Sequence, residues 1–361
     1  MTDINEAKKS VIEAGHLLVE TGLIARTWGN ISCRISDTEF VITPSGKAYD
    51  SLTPDDIVTV NINDLSYSGD VKPSSEKGIH ADCYRLRKDT GFVIHTHQTN
   101  ASVLSVLPVN LTVKTPREVA LLGAVIPIAS YGLPGTKKLR KGVSSALTAN
   151  PDSKAVIMAH HGAVCLGRDF GEAFKIALSL EKLCEEKLIG RINTITSAYD
   201  GEAFVSEKKD GKIFVDGTDE TEPSRELDIH KAIYSSHPNV TNIVHDTDPY
   251  AVKCSNEKKK LKPMLDDFAQ LVGISLKTAS DNDDDIKKKS KGRNAVLVKG
   301  RGAYCFASTA DDAKAVEIIL NKGCKTEIEA PMLGKTKKIG IIDSVLMRVV
   351  YLKKYSKQIE K

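Results

Sequence analysis

Three of the nine histidines stand where apolar, strand-like runs end. In Val93-Ile94-His95-Thr96-His97 the two imidazoles fall two residues apart. Side chains alternate across an extended chain, so His95 and His97 project to one face. A second run, Ala155-Val156-Ile157-Met158-Ala159, leads into His160-His161-Gly162 and offers a third imidazole, His161. Three imidazoles with a fourth position left open make a catalytic zinc site rather than a closed structural one. The same donors accept Mn²⁺, Fe²⁺ or Co²⁺. Glu76, in Lys72-Pro73-Ser74-Ser75-Glu76, adds a carboxylate upstream of the pair.

These residues need rigid elements behind them. Apolar positions at helical spacing (Val11, Ile12, Ala14, Leu17, Leu18) predict a helix over 4–22, stopped by Gly22. Short β-branched runs predict strands at 39–43 and 57–62. A helix is expected at 75–88, strands at 91–97 and 155–159, and a helix at 170–188. The charged run 281–291 reads as a solvated loop, and 341–360 as a terminal helix.

Compared with itself, the chain is one unit written twice. Ser74-Ser75-Glu76-Lys77-Gly78-Ile79-His80 with Tyr84 matches Ser224-Arg225-Glu226-Leu227-Asp228-Ile229-His230 with Tyr234. His95 matches His245 at the same distance from its glutamate. The segment 155–165 matches 295–305, and Cys184 matches Cys324. The copies are unequal, because His97 becomes Thr247 and His161 becomes Arg301. No counterpart of Gly29-Asn30-Ile31-Ser32 or Thr43-Pro44-Ser45-Gly46 is evident in the second copy. The expectation is a catalytic domain over 1–192 holding one metal ion per chain. A degenerate domain with a C-terminal helix would follow over 193–361, with a linker near 190–200.

Composition narrows the partners. A chain of 361 residues suggests two cores. Fifty-one basic and 47 acidic residues nearly cancel, giving a net charge of +4 and no case for a nucleic-acid or membrane partner. No apolar run approaches the roughly 20 residues that span a bilayer. The N-terminus lacks the pattern of a signal peptide. Seven scattered cysteines, an odd number without a Cys-x-x-Cys pair, fit a reduced, cytoplasmic protein.

The ordered set Gly29-Asn30-Ile31-Ser32, Thr43-Pro44-Ser45-Gly46, Pro73-Ser74-Ser75-Glu76, His95-Thr96-His97 and His161-Gly162 resembles the class II aldolase/adducin family, nearest the fuculose-phosphate aldolase type. The resemblance covers 1–190 fully and 200–325 with gaps. It implies a three-layer α/β/α domain with a largely antiparallel central sheet, here present twice, assembled as a homo-oligomer. Two tandem chains could then build the fourfold ring of single-domain relatives. It further implies that His95, His97 and His161 ligate Zn²⁺ and that Glu76 is the acid/base. Asn30, Ser45, Gly46, Ser74 and Ser75 would bind the phosphate of a small sugar substrate. Such a site polarises a ketose carbonyl and stabilises an enediolate, so a phosphorylated ketose would split into dihydroxyacetone phosphate and an aldehyde. A sugar-phosphate dehydratase, a pentulose-phosphate epimerase and a non-catalytic adducin-like module are the alternatives on the same fold.

One departure bears on that choice. The tyrosine that such aldolases use as a proton donor would fall near Pro116, in Lys114-Thr115-Pro116-Arg117-Glu118, and Pro134 replaces a family phenylalanine. Other residues carry two readings. Ser74 and Ser75 suit helix capping as well as an anion, and Asn30 suits a turn. His160 faces away from His161 and reads as structural. His80 and His230 recur in both copies and read as packing or a shared hydrogen bond. Arg301 is either a cation in the vacated site or drift.

Overall fold

The computed structural model describes residues 2–24, 28–189, 198–218 and 222–355, and the chain divides into compact units of 1–190 with 353–361 and of 191–352. In the first unit the order is α1 (Ile4–Glu20), β1 (Asn30–Arg34), β2 (Glu39–Ile42), β3 (Val58–Asn61), α2 (Lys77–Leu86), β4 (Phe92–Thr96) and α3 (Thr99–Leu104). Then follow β5 (Leu111–Thr112), α4 (Pro116–Leu122), β6 (Val125–Ile126), β7 (Ile128–Ala129), α5 (Lys137–Ala149), β8 (Ala155–Met158), β9 (Ala163–Gly167) and α6 (Phe170–Ile189). The seven elements expected from sequence in this unit all form within two residues of their expected ends.

The central sheet runs β3-β2-β1-β4-β9-β8-β7, and only β7–β8 is parallel among its pairs. Helices α2 and α5 pack together on one side, while α1, α3 and α6 lie on the other. The α2/α5 side buries Phe40, Ile42, Val93, Val156 and Val164 of the sheet against Ile79, Tyr84, Leu139 and Val143. Arg140 clamps α2 to α5, donating from Nε and Nη2 to both oxygens of Asp82 at 2.7 Å each. This is the expected three-layer α/β/α domain.

The second unit repeats it with β10 (Val205–Lys209), β11 (Lys212–Val215), α7 (Arg225–Ser236), β12 (Asn242–Asp246), α8 (Pro249–Glu257) and β13 (Lys260–Leu261). It continues with β14 (Leu276–Ala279), α9 (Asp283–Ser290), β15 (Ala295–Val298), β16 (Gly302–Ala307), α10 (Ala310–Leu333) and α11 (Ile341–Val350). Its sheet runs β11-β10-β12-β16-β15-β14-β13, again with a single parallel pair, β14–β15. Register makes the copies equivalent position by position. Ser32 faces Val93 and Ser206 faces Ile243, so β1 corresponds to β10 and Asn30 to Phe204.

Three expectations need correction. The strand position of Gly29-Asn30-Ile31-Ser32 recurs at Ala203-Phe204-Val205-Ser206, which keeps only the serine, and that of Thr43 recurs in Asp216. The Thr43 N–H donates to the Ile31 carbonyl (3.1 Å) and its Oγ1 accepts from the Ile31 N–H (3.2 Å). Asp216 repeats both bonds with Val205, at 3.0 and 3.1 Å. Backbone geometry survives there without sequence likeness, which is why the sequence comparison misses it. The run 281–291 is largely helical rather than a loop, as α9. Asn282 caps it by accepting from the Asp284 and Asp285 N–H groups, and Ile286 is buried. Its acids lie in the first turn and its lysines in the last, the order that the helix dipole favours. The terminal helix stops at Val350 and gives way to a wider turn over Tyr351–Tyr355. The expected linker at 190–197 and residues 356–361 lie outside the described residues. All seven cysteines are buried and free, and no helix among the described residues is long and apolar enough to cross a membrane.

Candidate metal centre

His95 comes from β4 at the middle of the sheet, and His97 from the residue just past its end. His161 reaches them from the turn between β8 and β9. That turn is tight: the Met158 N–H donates to the Gly162 carbonyl at 2.7 Å and the His161 N–H to the Met158 carbonyl at 3.0 Å. His160 takes a left-handed conformation (φ 64°), where the second copy has Gly300 (φ 80°). Gly162 is required for another reason, because a Cβ there would lie 2.0 Å from the Thr96 carbonyl oxygen. The close approach sets β9 against β4 and brings His161 over His95, with ring centroids 4.9 Å apart. His97 completes the cluster at 4.9 Å from His95 and 4.5 Å from His161.

The donor set fits a divalent metal. A ligand nitrogen from each of the three histidines lies within 4.8 Å of the other two. The Nε2 atoms of His95 and His161 face each other at 3.0 Å, a spacing that a shared proton or a shared cation holds. Two imidazole nitrogens at ordinary zinc distances of about 2.0–2.1 Å sit roughly 3.3 Å apart in tetrahedral geometry. The Nδ1–H of His95 donates to the Ala163 carbonyl at 2.9 Å, which leaves Nε2 as the lone pair facing the cluster. Burial, reinforced by His161 and His97 and opposed by Glu76, pushes the His95 pKa well below the usual histidine range. The ring is therefore neutral, as a ligand must be.

Glu76 is the N-cap residue of α2 rather than part of its first turn, and its side chain makes no capping bond. It points at the imidazoles instead, with Oε2 3.3 Å from His95 Nε2 and Oε1 3.5 Å from His161 Nε2. Oε2 accepts from Asn30 Nδ2 at 3.1 Å, while Oε1 has no hydrogen-bond partner among the described residues. Burial alone would raise the pKa of this carboxyl. The His161 and His95 imidazoles, the Asn30 hydrogen bond and His97 outweigh burial and lower it to about 2. The carboxylate is therefore ionised and has one oxygen uncommitted.

The remaining candidates lie on two loops that run side by side. Pro44 and Pro73 form a bridge, the Ser45 N–H donates to the Lys72 carbonyl (2.9 Å) and the Ser74 N–H to the Thr43 carbonyl (3.1 Å). Ser45, Gly46, Ser74 and Ser75 are thus gathered at the N-terminus of α2. The two loops are tied to Asn30 by the Thr43–Ile31 bonds. Gly135 also approaches this place, since a Cβ on it would lie 3.3 Å from Ser75 Oγ. Near the departure noted in the sequence, Pro116 opens α4 behind the N-cap Thr115, with Lys114, Pro116 and Arg117 exposed.

The equivalent place in the second unit is an open cleft lined by Tyr199, Glu226, Asp281 and Arg301, whose side chains pair with one another. Arg301 ion-pairs Glu226, pairs Asp281 from Nε at 2.7 Å and donates to the Tyr199 hydroxyl at 3.0 Å. Tyr199 in turn hydrogen-bonds Glu226. His245 turns Nε2 onto the Arg301 carbonyl at 2.7 Å. Arg301 is therefore a cation beside Glu226, the counterpart of the Glu76 that faces the imidazole cluster in the first unit, and drift is the poorer description. Tyr199 and Asp281 escape a sequence reading because neither has a chemical counterpart in the first copy.

Comparison with known proteins gives the family. The chain matches the family described as Class II Aldolase and Adducin N-terminal domain over residues 9–188 and again over 199–328. It therefore belongs to that family, twice over. It is 35% identical over 179 residues to a 5-methylthioribulose-1-phosphate/5-deoxyribulose-1-phosphate aldolase of Rhodospirillum rubrum, covering 50% of this chain and 79% of that one. A methylthioribulose-1-phosphate dehydratase of Serratia proteamaculans is 31% identical over 198 residues, covering 52% and 97%. Among solved structures, an L-fuculose 1-phosphate aldolase aligns over 51% of this chain and 86% of its own, with 31% identity and a TM-score of 0.48.

Proposed function

We propose that the first unit is a metal-dependent lyase that cleaves a small ketose 1-phosphate into dihydroxyacetone phosphate and an aldehyde. The observation that carries this reading is the ionised, buried Glu76 with its uncommitted Oε1 beside three clustered imidazoles. His95, His97 and His161 would hold the metal, most simply one Zn²⁺ per chain. When bound, it supplies Lewis-acid polarisation of the substrate carbonyl. Glu76 Oε1 moves a proton to and from the carbon or oxygen beside that carbonyl. Ser45, Gly46, Ser74 and Ser75 bind the phosphate, helped by the positive end of α2. Asn30 stands apart from this group, because its amide is already engaged by Glu76 and His80. The domain boundaries follow the repeat: a catalytic domain to about residue 192 and a site-deficient one after it.

The ketose 1-phosphate class is supported by relatives whose names place a phosphate on C1 and differ at C5 of the sugar. A dehydratase is the second reading, supported by the Serratia relative and by the absence of tyrosine near Pro116. Product analysis decides between them. The zinc-loaded protein is offered ketose 1-phosphates of five and six carbons. Release of dihydroxyacetone phosphate with an aldehyde is the expected result; loss of water without chain cleavage selects the dehydratase. No turnover of any of them by protein carrying one metal per chain overturns both.

A further inference from the structure

Asn30 is the only side chain that donates a hydrogen bond to Glu76 among the described residues, and it is itself held from behind. Its Oδ1 bonds His80 Nε2, His80 Nδ1 lies 2.6 Å from Ser32 Oγ, and Ser32 Oγ lies 2.6 Å from the Tyr84 hydroxyl. All four residues are buried. The direction of the bonds follows from the Asn30 amide, whose Nδ2 donates to Glu76 Oε2 at 3.1 Å and whose Oδ1, an acceptor only, faces His80 Nε2. His80 must then carry its proton on Nε2 and accept on Nδ1. Ser32 donates to that nitrogen, and Tyr84 donates to Ser32.

The second unit keeps the rear of this chain and has lost its front. Ser206 Oγ lies 2.6 Å from His230 Nδ1 and 2.9 Å from the Tyr234 hydroxyl. Phe204 stands where Asn30 would, its ring 4.7 Å from that of His230, and His230 Nε2 has no hydrogen-bond partner among the described residues. Glu226 pairs with Arg301 instead. The link from histidine to glutamate is thus present with the three-imidazole cluster and absent without it. A purely structural role for His80 explains the serine and tyrosine bonds in both copies, but not the Asn30–Glu76 end in one.

We propose that Tyr84, Ser32, His80 and Asn30 form a one-way donor relay that fixes the Glu76 carboxylate through Oε2 and leaves Oε1 as its working oxygen. Asn30 and His80 are positioning residues, acting on the reaction only through Glu76. The inference rests on the proposed function for the consequence of that positioning, though not for the relay itself. Burial supports the neutral His80 the relay needs, by pushing its pKa down to about 3 against the opposing field of Glu76.

Three measurements on the full-length, metal-loaded protein test it. Long-range ¹H–¹⁵N spectra should show His80 as the Nε2–H tautomer from pH 5 to 8; the Nδ1–H tautomer overturns the relay whatever the activity. With Co²⁺ as the probe, Asn30→Ala should change the visible spectrum as the released carboxylate swings to the metal. Adding Glu76→Gln should abolish that change, and an unaltered spectrum in Asn30→Ala overturns the positioning role. On a ketose 1-phosphate that the wild type turns over, Asn30→Ala should lower kcat about 10–100-fold with KM within about twofold. His80→Leu should act similarly, and His80→Gln, which keeps an N–H donor, should recover much of the loss. A raised KM with unchanged kcat would make Asn30 a phosphate contact instead. A wild type inactive on every ketose 1-phosphate, with the tautomer and Co²⁺ results as expected, defeats the functional reading and leaves the relay standing.

Discussion

The two units share a sheet order, a helix arrangement and a set of backbone hydrogen bonds, yet they manage a buried carboxylate at the same position in opposite ways. Burying a charge costs several kcal/mol unless partners offset it. In the first unit Glu76 faces clustered imidazoles and accepts one amide hydrogen bond. In the second, Glu226 is offset by the Arg301 guanidinium. The difference teaches that one carboxylate position in this fold can be served in two ways, by clustered imidazoles or by a permanent counter-charge. Arginine in place of histidine on the β15–β16 turn supplies the second.

The largest expected effect comes from writing the second unit's solution into the first. His161→Arg should pair with Glu76 and reduce bound metal from about one ion per chain to none, as elemental analysis would show. Turnover should fall with it, by at least about a thousandfold. Metal retained at full stoichiometry would break the comparison.

A second test concerns Asp246, which sits where the first unit has Thr96. Burial first, and then the neighbouring Glu317 and Asp248, raise its pKa to about 7 against opposing hydrogen bonds from Asp248 and Asn321. Its folded pKa lies above its unfolded one near 3.8, so the folded state binds the extra proton between those values. The second unit should therefore lose stability as pH rises from about 4 to 7. Asp246→Asn should flatten that dependence and gain about 2–4 kcal/mol at pH 8. Chemical denaturation at a series of pH values gives the answer, and a slope shared by variant and wild type contradicts the assignment.

The smallest effect separates the Arg301–Glu226 pair from function. Arg301→Gln should cost about 1–2 kcal/mol in unfolding experiments, because Glu226 keeps only Tyr199. Metal content and turnover should be unchanged. A loss of metal would show that the second unit contributes to the first unit's site.

Much of the first unit was legible. Periodicity located its helices and strands, and the two-residue spacing on a strand placed His95 beside His97. The repeat itself showed which two of the three imidazoles the second copy lacks. The charged run at 281–291 was misread because net polarity was weighed above charge order, and acids before lysines behind Asn282 are a helix signal. The front half of the relay was not legible. Recurrence of His80 and Tyr84 hinted at a shared bond, but nothing linear joins Asn30, on β1, to a glutamate 46 residues later.

The sequence by itself determined which half could hold a metal, since ligand chemistry is a property of residue type and short spacing. It also determined that the chain is a duplication. Only the tertiary structure decided which oxygen of Glu76 is engaged, that Arg301 answers Glu226, and that Asp216 does the work of Thr43. Those are distances between side chains on separate strands and helices, and packing of the sheet against its helices sets them, not neighbourhood in the chain.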